Sequence, residues 1–519
     1  MIQTNEQLVR EMIESVLDQV RTGWGGRVPP TPGAGAAPPL TAATARGDAG
    51  TLRQDSPRRK AGVGDGAAPH FSPRGPLGSF GEFTDVNQAV AAAKAAQAQL
   101  MKRSLAQRKI ACDLIRRIVI DQADTLGRME FEETKIGRAA HKPLKLVSAG
   151  ETSLGVEFLR SDVFSGDRGL TVQEYAPWGV VAVITPVTHS LPTLANNAVS
   201  IIAAGNAIVC NPHPAGARIA CHGARLFNQA IYEKLGIDNL VSVITAPTIE
   251  SANALFAHPD VPLLAVTGGP GVVAAALRSG KRAICAGPGN PPVVVDESAD
   301  LDNAARCIVE GAAFDNNLLC LSEKEIFVVA EVWEKFIAAM KANKAVQLTG
   351  QQMNALAEKV IDTKRSEQGH IHARKEYVGK GAAELAGLIG LHAPPDTELL
   401  FGETGPDHPW VEAEQMMSCV PIVKARDFAQ AVEMALAAEH GFKHTSVIHS
   451  RLVDHMTHMG KAMDTALYVK NGPSMAGDGM GGEGYSSYSI ACTTGEGICT
   501  PLTYTRVRRC TMVDNLRII

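Results

Sequence analysis

The sequence predicts an α/β protein organised around parallel, doubly wound sheet, and three observations carry that expectation. Between residues 169 and 280, β-rich and helical patterns alternate, each about the length of one strand or one helix. Within that stretch "VTGGPGVVAAALRSG" (266–280) reads as a strand, a tight glycine turn and a helix whose first turn holds Pro270. Finally, 519 residues, 45% of them hydrophobic and 20% charged, can bury a large core and divide into two or three domains.

Taken in chain order, "TNEQLVREMIESVLDQVR" (4–21) sets Leu8, Met12, Ile13 and Val16 at helical spacing, with its acidic residues on other faces. Thr4 and Gln7 form a capping box, so a short amphipathic helix is expected. Residues 22–80 are rich in Gly, Pro and Ala without periodicity, which predicts a disordered linker and hence a tethered helix. The folded core begins near Gly81, with helical patterns at about 84–102, 104–120 and 121–137. The β-rich "GLTVQEYAPWGVVAVITP" (169–186) follows, then a helix near 191–204 and a strand and loop in "GNAIVCNPHPAG" (205–216). A helix at 215–235, the strand "NLVSVIT", a helix around 249–257 and the strand "PLLAVT" complete the alternation.

A net charge of −4 and a pI near 6.4 supply no basic field for nucleic acid or an anionic membrane, so neither is expected as a partner. No uninterrupted apolar run reaches membrane-spanning length, and the N-terminus carries acidic residues in place of a signal pattern, so a cytoplasmic chain is expected. The ten cysteines are irregularly spaced without a CxxC pair, against both a zinc site and a disulfide framework. No metal is expected; His455 and His458, without an acidic companion at helical spacing, read as surface residues.

Cys320 stands out from the other cysteines by context. In "AAFDNNLLCLSEKEIFVVA" (312–330) it falls where a helical run gives way to a β-rich one, before the strand at 323–330, a location suited to a reactive group. The turn at Thr267, Gly268 and Gly269 offers backbone N–H groups and a helix N-terminus to a pyrophosphate, although the usual GxGxxG spacing is absent. "TPVTHS", which opens on Thr185 and Pro186, also follows a strand, and open α/β sheets bind ligands at such carboxyl ends.

Five ordered segments over roughly 81–519 together resemble the aldehyde dehydrogenase superfamily: "VITP", "GNAIVCNPHPAG", "VTGGPG", "AGPGNPPVVVDESADLDNAA" and "VEAEQMMSCVPIV". More narrowly, "GPGNPPVVVDE", "FDNNLLC" with "SEKE", and the closing "TRVRR" resemble the coenzyme A-acylating aldehyde dehydrogenases of bacterial microcompartments, which act on propionaldehyde and acetaldehyde. The resemblance implies the aldehyde dehydrogenase fold, with a Rossmann-like NAD-binding domain at 81–290 carrying a β flap at about 160–176. A catalytic α/β domain at 291–484 and a C-terminal oligomerisation segment at 485–519 complete it. The strands at 160–176 and 485–511 would pair across a homodimer, with homotetramers also expected. The 4–21 helix would be an encapsulation peptide, binding microcompartment shell proteins or other cargo and placing the enzyme inside the compartment.

For the site, the resemblance implies Cys320 as nucleophile and Glu414 on the nicotinamide ribose. Thr185, Pro186, Asn211, Pro247, Thr267, Gly268, Gly269 and Gly287 would surround the cofactor, taken to be NAD. His189 stands where relatives carry an asparagine that stabilises the oxyanion, and a ring nitrogen could donate instead. Hydrolytic members carry a glutamate base where this chain has Ala286 in "AGPGN". Without it, water should react slowly and the thiol of coenzyme A should take the acyl group. Ser418 replaces a usual proline. Arg506, Arg508 and Arg509 read as a solvated or subunit-contacting strand more than as a phosphate site. Two alternatives stay open: an acyl phosphate reductase resembling glutamyl phosphate reductase, and a catalytically inactive scaffold.

Overall fold

The computed structural model of the protein describes residues 78–366 and 369–516. The 4–21 helix and nearly all of the linker lie outside the described residues.

The predicted alternation resolves into two parallel sheets. The first has six strands in the order Glu82–Phe83, Val241–Ile244, Ala207–Pro212, Val180–Thr185, Leu263–Thr267 and Arg282–Ala286, every pair parallel. Its central strands are unbroken runs of apolar and β-branched residues, buried along their whole length, as expected where helices cover both faces. From Val180–Thr185 the chain steps outward to Ala207–Pro212 and Val241–Ile244. It then crosses back to Leu263–Thr267 on the other side. The order therefore reverses between Val180–Thr185 and Leu263–Thr267, and a doubly wound sheet opens a ligand crevice at the carboxyl ends of that pair.

The second sheet has seven parallel strands in the order Ala345–Leu348, Leu399–Glu403, Cys419–Ala425, Glu325–Val329, Pro292–Val295, Thr445–His449 and Leu467–Lys470. Glu325–Val329 lies at its centre, so Cys320 sits on the approach to the most protected strand. The expected helices appear at Val86–Leu100, Leu105–Asp121, Ala123–Thr134, Ser190–Ala203, Ala217–Leu235 and Ile249–Ala257. Asp85 caps the first of them and a Ser104–Gln107 capping box starts the second. A helix at Lys142–Thr152 was not expected from the sequence. Among the described residues no helix is long and apolar enough to cross a membrane.

The C-terminal segment departs from expectation in two ways. Thr505–Val513 pairs antiparallel with Gly169–Pro177, which pairs with Asp162–Gly166, so a three-stranded flap forms within one chain instead of by pairing across a dimer. The nine-residue register from Thr505↔Pro177 to Val513↔Gly169 already satisfies that edge. Residues before the flap strand are not an appendage either: Ala491, Cys499 and Tyr504 are buried in the core of the first sheet. Trp178 Nε1 donates to the Thr505 carbonyl (3.2 Å) and Asn206 Nδ2 to that of Tyr504 (3.0 Å).

Candidate active site

A cavity of about 380 Å³ opens where the first sheet reverses its order. The strand ends at Thr185 and Thr267, the turn Gly268–Gly269 and the residues Ala286 and Gly287 form one wall, and Cys320 and Glu414 close it from the second sheet. Pro186, His189 and Asn211 also line it. Of the expected site residues only Pro247 does not; it is buried just before the cavity, and its neighbour Thr248, the N-cap of Ile249–Ala257, takes its place on the wall.

The nucleophile loop is held in an unusual backbone path. Asp315, Asn316 and Asn317 have φ of 47°, 56° and 65°, three consecutive left-handed residues. Asp and Asn tolerate that region best among residues with a Cβ, and such conformations persist where surroundings over-determine them. Here Asn316 Oδ1 accepts from Arg138 Nε (2.6 Å) and Ser418 Oγ (3.1 Å), while its Nδ2 donates to the Gly379 carbonyl (2.8 Å). Ser418 is thus a specific support of the loop. Asn317 Nδ2 donates to the carbonyls of Ala312 and Glu323 (2.9 Å each). The buried Lys324 ammonium spans the turn, donating to Asn317 Oδ1 (2.6 Å), the Asn317 carbonyl (3.1 Å) and the Leu319 carbonyl (3.0 Å). Cys320 emerges half-buried from this frame. Burial pushes its thiol up to about 12, with the Glu414 carboxylate adding to the rise and Lys324 opposing it, so the sulfur is a neutral thiol at pH 7.

Gly289, in the "GPGN" turn, packs against that loop: a Cβ there would fall 2.6 Å from the Cys320 carbonyl oxygen and 2.9 Å from the His444 ring. Burial pushes the Glu414 carboxyl up to about 6, which Lys324 opposes, and it remains ionised at neutral pH. His189 is buried at the start of Ser190–Ala203, with its ring 5.5 Å from that of Tyr488 and no partner for Nδ1. Burial, joined by Lys145 and Lys142, holds its pKa far below the usual histidine value. The ring is therefore a neutral donor or acceptor, not a cation.

On the other wall Gly269 is the N-cap of Pro270–Arg278 and has no side chain with which to satisfy the helix start. A Cβ there would meet nothing within 4 Å, and Gly268, Gly269 and Pro270 line the cavity, so the helix starts on its wall, where a pyrophosphate could sit. Asn211 is less available than expected, because its amide accepts from Ser251 Oγ (2.5 Å) and donates to the Thr248 carbonyl (3.3 Å), fastening the Ile249–Ala257 helix to the sheet. Thr267 Oγ1 pairs with Ser489 Oγ at 2.7 Å and so joins the wall to the C-terminal segment. Among the described residues lining the cavity there is one carboxylate, Glu414, and neither lysine nor arginine.

Several participants escape sequence reasoning: Tyr488 and Ile490 on the wall, His444 behind Gly289, and the lysines beneath His189. Tyr488 and Ile490 lie far along the chain from the rest, and no local pattern signals their return. His455 has acidic companions after all, supplied by the end of a strand. Its Nδ1 lies 2.9 Å from Asp296 Oδ2, near Glu297, and its ring stacks on Phe428 at 3.8 Å. Asp296 Oδ1 is already taken by the Ser298 N–H (2.8 Å) and hydroxyl (2.7 Å), which makes this a hydrogen-bonded corner of the fold. Arg506, Arg508 and Arg509 lie on the flap strand, away from the cavity.

Known proteins are similar to this chain in sequence and fold. The acetylating acetaldehyde dehydrogenase EutE of Salmonella typhimurium is 43% identical over 448 residues, covering 86% of this chain and 95% of that protein. A solved propionaldehyde dehydrogenase of Rhodopseudomonas palustris with bound propionyl-CoA is 40% identical with a TM-score of 0.81, covering 84% of this chain and 96% of that one. A propionaldehyde dehydrogenase from the fucose utilisation bacterial microcompartment of Clostridium phytofermentans is 42% identical, also with a TM-score of 0.81, over 85% and 100% of the two chains. With residues 79–506 matching the aldehyde dehydrogenase family as well, the chain belongs to that family.

Proposed function

We propose that the protein oxidises a short-chain aldehyde, propionaldehyde in preference and acetaldehyde as well, to its acyl-CoA with NAD. The observation that carries this reading is Ala286. It lines the cavity with Cys320 and presents a methyl group where hydrolytic members of the family carry the glutamate that activates water. The Cys320 sulfur adds to the aldehyde carbon, and the thiol proton ends on the carbonyl oxygen, within reach of the neutral His189 ring. The Gly268–Gly269 turn and Glu414, which line the cavity, would hold NAD, and NAD would supply the hydride acceptor. Loss of hydride and of the hydroxyl proton leaves a thioester on Cys320. The thiol of coenzyme A then attacks that thioester and regenerates the Cys320 thiol, a step that needs no base at position 286 because a thiol ionises far more readily than water. The curated and solved relatives named above support this assignment over an acyl phosphate reductase, for which no cation lines the cavity, and over an inactive scaffold.

The test is NADH formation from propionaldehyde and NAD with and without coenzyme A. Formation that continues at the same rate without coenzyme A, with release of free acid, would overturn the reading. The cellular setting follows the same resemblance: a homo-oligomer in the cytoplasm, inside a bacterial microcompartment, with residues 4–21 binding shell proteins or other cargo. Deleting residues 1–21 should leave activity on propionaldehyde nearly unchanged and abolish copurification with shells. Loss of activity on that deletion would assign the segment to the catalytic body instead.

A further inference from the structure

Lys142 and Lys145, one helical turn apart on Lys142–Thr152, have no exposed side-chain surface. A cation fully withdrawn from water is tolerated only where opposite charge and hydrogen bonds replace its hydration. Both ammonium groups donate to Oδ2 of Asp315, itself fully buried, Lys142 at 2.9 Å and Lys145 more closely. Both also donate to the Thr188 carbonyl, Lys145 at 2.9 Å and Lys142 at 3.4 Å. Asp315 Oδ1 accepts the Arg138 N–H (2.7 Å), and the Asp315 N–H donates to His141 Nδ1 (2.8 Å).

The positions of these acceptors matter. Thr188 immediately precedes His189, and Asp315 is the first left-handed residue of the turn that delivers Cys320. Two strand-end loops from different sheets therefore converge on one pair of lysines. We propose that Lys142 and Lys145 are positioning residues for the oxidation: by gripping Asp315 and the Thr188 carbonyl together, they fix the Cys320 loop against the His189 loop, so that an aldehyde held on the sulfur meets the ring. Simple stabilisation of either loop would not require both ammonium groups to bridge the two. The inference rests on Cys320 as the nucleophile, a reading tested separately by Cys320→Ala, which should abolish NADH formation while leaving NAD binding intact.

The same arrangement predicts a pH signature. His189 is faced by Lys142 and Lys145 from their helix, Glu130 from Ala123–Thr134, Asp315 and Cys320 from the nucleophile loop, Tyr488 from the C-terminal segment and Glu414 across the cavity. Burial alone pushes Asp315 up, but Lys145 and Lys142 outweigh it and hold that carboxyl below its usual range. The nearby cations oppose protonation of the ring, and removing one makes protonation easier.

The experiment uses the full chain with Lys145→Met, Lys145→Arg and Lys142→Met. Lys145→Met should lower kcat about 10- to 100-fold, the scale of a misplaced reacting group, while KM for propionaldehyde and NAD moves less than about threefold. It should also move any acid limb of the rate to higher pH than in the parent, because one of the two cations that oppose protonation of His189 is gone while its burial remains. Lys145→Arg, which keeps the charge, should recover most of the rate without that shift, and Lys142→Met, whose bond to Thr188 is longer, should cost less. A folded Lys145→Met with kcat within about twofold of the parent, or a loss that Lys145→Arg shares equally, overturns the proposal. If the methionine variants fail to fold, Lys145→Gln, which keeps a donor but no charge, decides: a kcat about 10-fold or more below the parent that Lys145→Arg does not share supports it, and a kcat within about twofold of the parent overturns it.

Discussion

Ala286 and Cys320 divide the chemistry between a group that is present and one that is missing. Ala286 ends the Arg282–Ala286 strand, its carbonyl already bonded to the Gly268 N–H at 3.1 Å, so its side chain is the only part free to change what the cavity does. Ala286→Glu should place a carboxylate beside the thioester and divert part of the acyl group to water, read as propionate formed without coenzyme A. A folded variant that still yields only the coenzyme A ester would show that the absent base does not explain the choice of acceptor. Cys320 is singled out by its place between a helical and a β-rich run and Glu414 by the resemblance of "VEAEQMMSCVPIV", and both line the cavity. Lys142 and Lys145 are not, because lysines three apart on a helix ordinarily mark a wet face. What buries them is Asp315, some 170 residues away, together with a carbonyl that no sequence pattern reveals.

Among the elements, the segment from Asp315 to Val329 links a left-handed turn to the central strand of the second sheet, and Glu323 fastens its middle. Glu323 is fully buried and accepts the Ser474 N–H at 2.7 Å and the Ser474 hydroxyl at 2.8 Å. Burial pushes its carboxyl up to about 7 despite those donors. A carboxyl raised in the folded state holds an extra proton there between about 4.5 and 7, so its contribution to stability is fully present below the unfolded value and is lost as pH rises through 7. Glu323→Gln can keep both bonds to Ser474 without ionising. The stability gap between variant and parent should therefore move in favour of the variant by about 1–3 kcal/mol from pH 5 to pH 8, measured by urea unfolding. A gap that is constant across that range would show that Glu323 does not ionise there. The inner strands of the first sheet and Glu325–Val329 of the second are legible at this scale because a run such as Val180–Thr185, buried on both faces, has no polar interruption. The Lys142–Thr152 helix was not, since its polar residues interrupt the apolar spacing and its buried face is partly ionic.

For the whole molecule, the described residues build every wall of the cavity from one chain, while the flap projects apolar surface that this chain does not cover. Val507 and Val513 lie on one face of the Thr505–Val513 strand, with Arg509 between them, and all three are exposed. Val163 and Phe164 on the opposite edge strand are exposed as well. A nine-residue edge strand with open backbone groups and apolar side chains is a template for pairing unless something covers it. A second copy of the chain suits it, because a symmetric contact would bury the valines. The sequence revealed the flap strands and suggested a contact between subunits. It could not reveal that the flap closes on itself first, since the register from Thr505 to Val513 depends on where residues 488–504 bury Ala491, Cys499 and Tyr504. Val507→Lys with Val513→Lys would crowd three cations on that face while leaving the ladder within the chain intact. The parent should sediment as a dimer or larger, and the double variant should shift toward monomer at equal concentration. Because no residue of the flap strand lines the cavity, the variant should keep coenzyme A-dependent NADH formation within about threefold of the parent, the expectation for a change remote from the reacting groups. A parent that sediments as a monomer would rule out the flap as a subunit contact. A dissociated variant that loses activity would show that the partner braces the cavity.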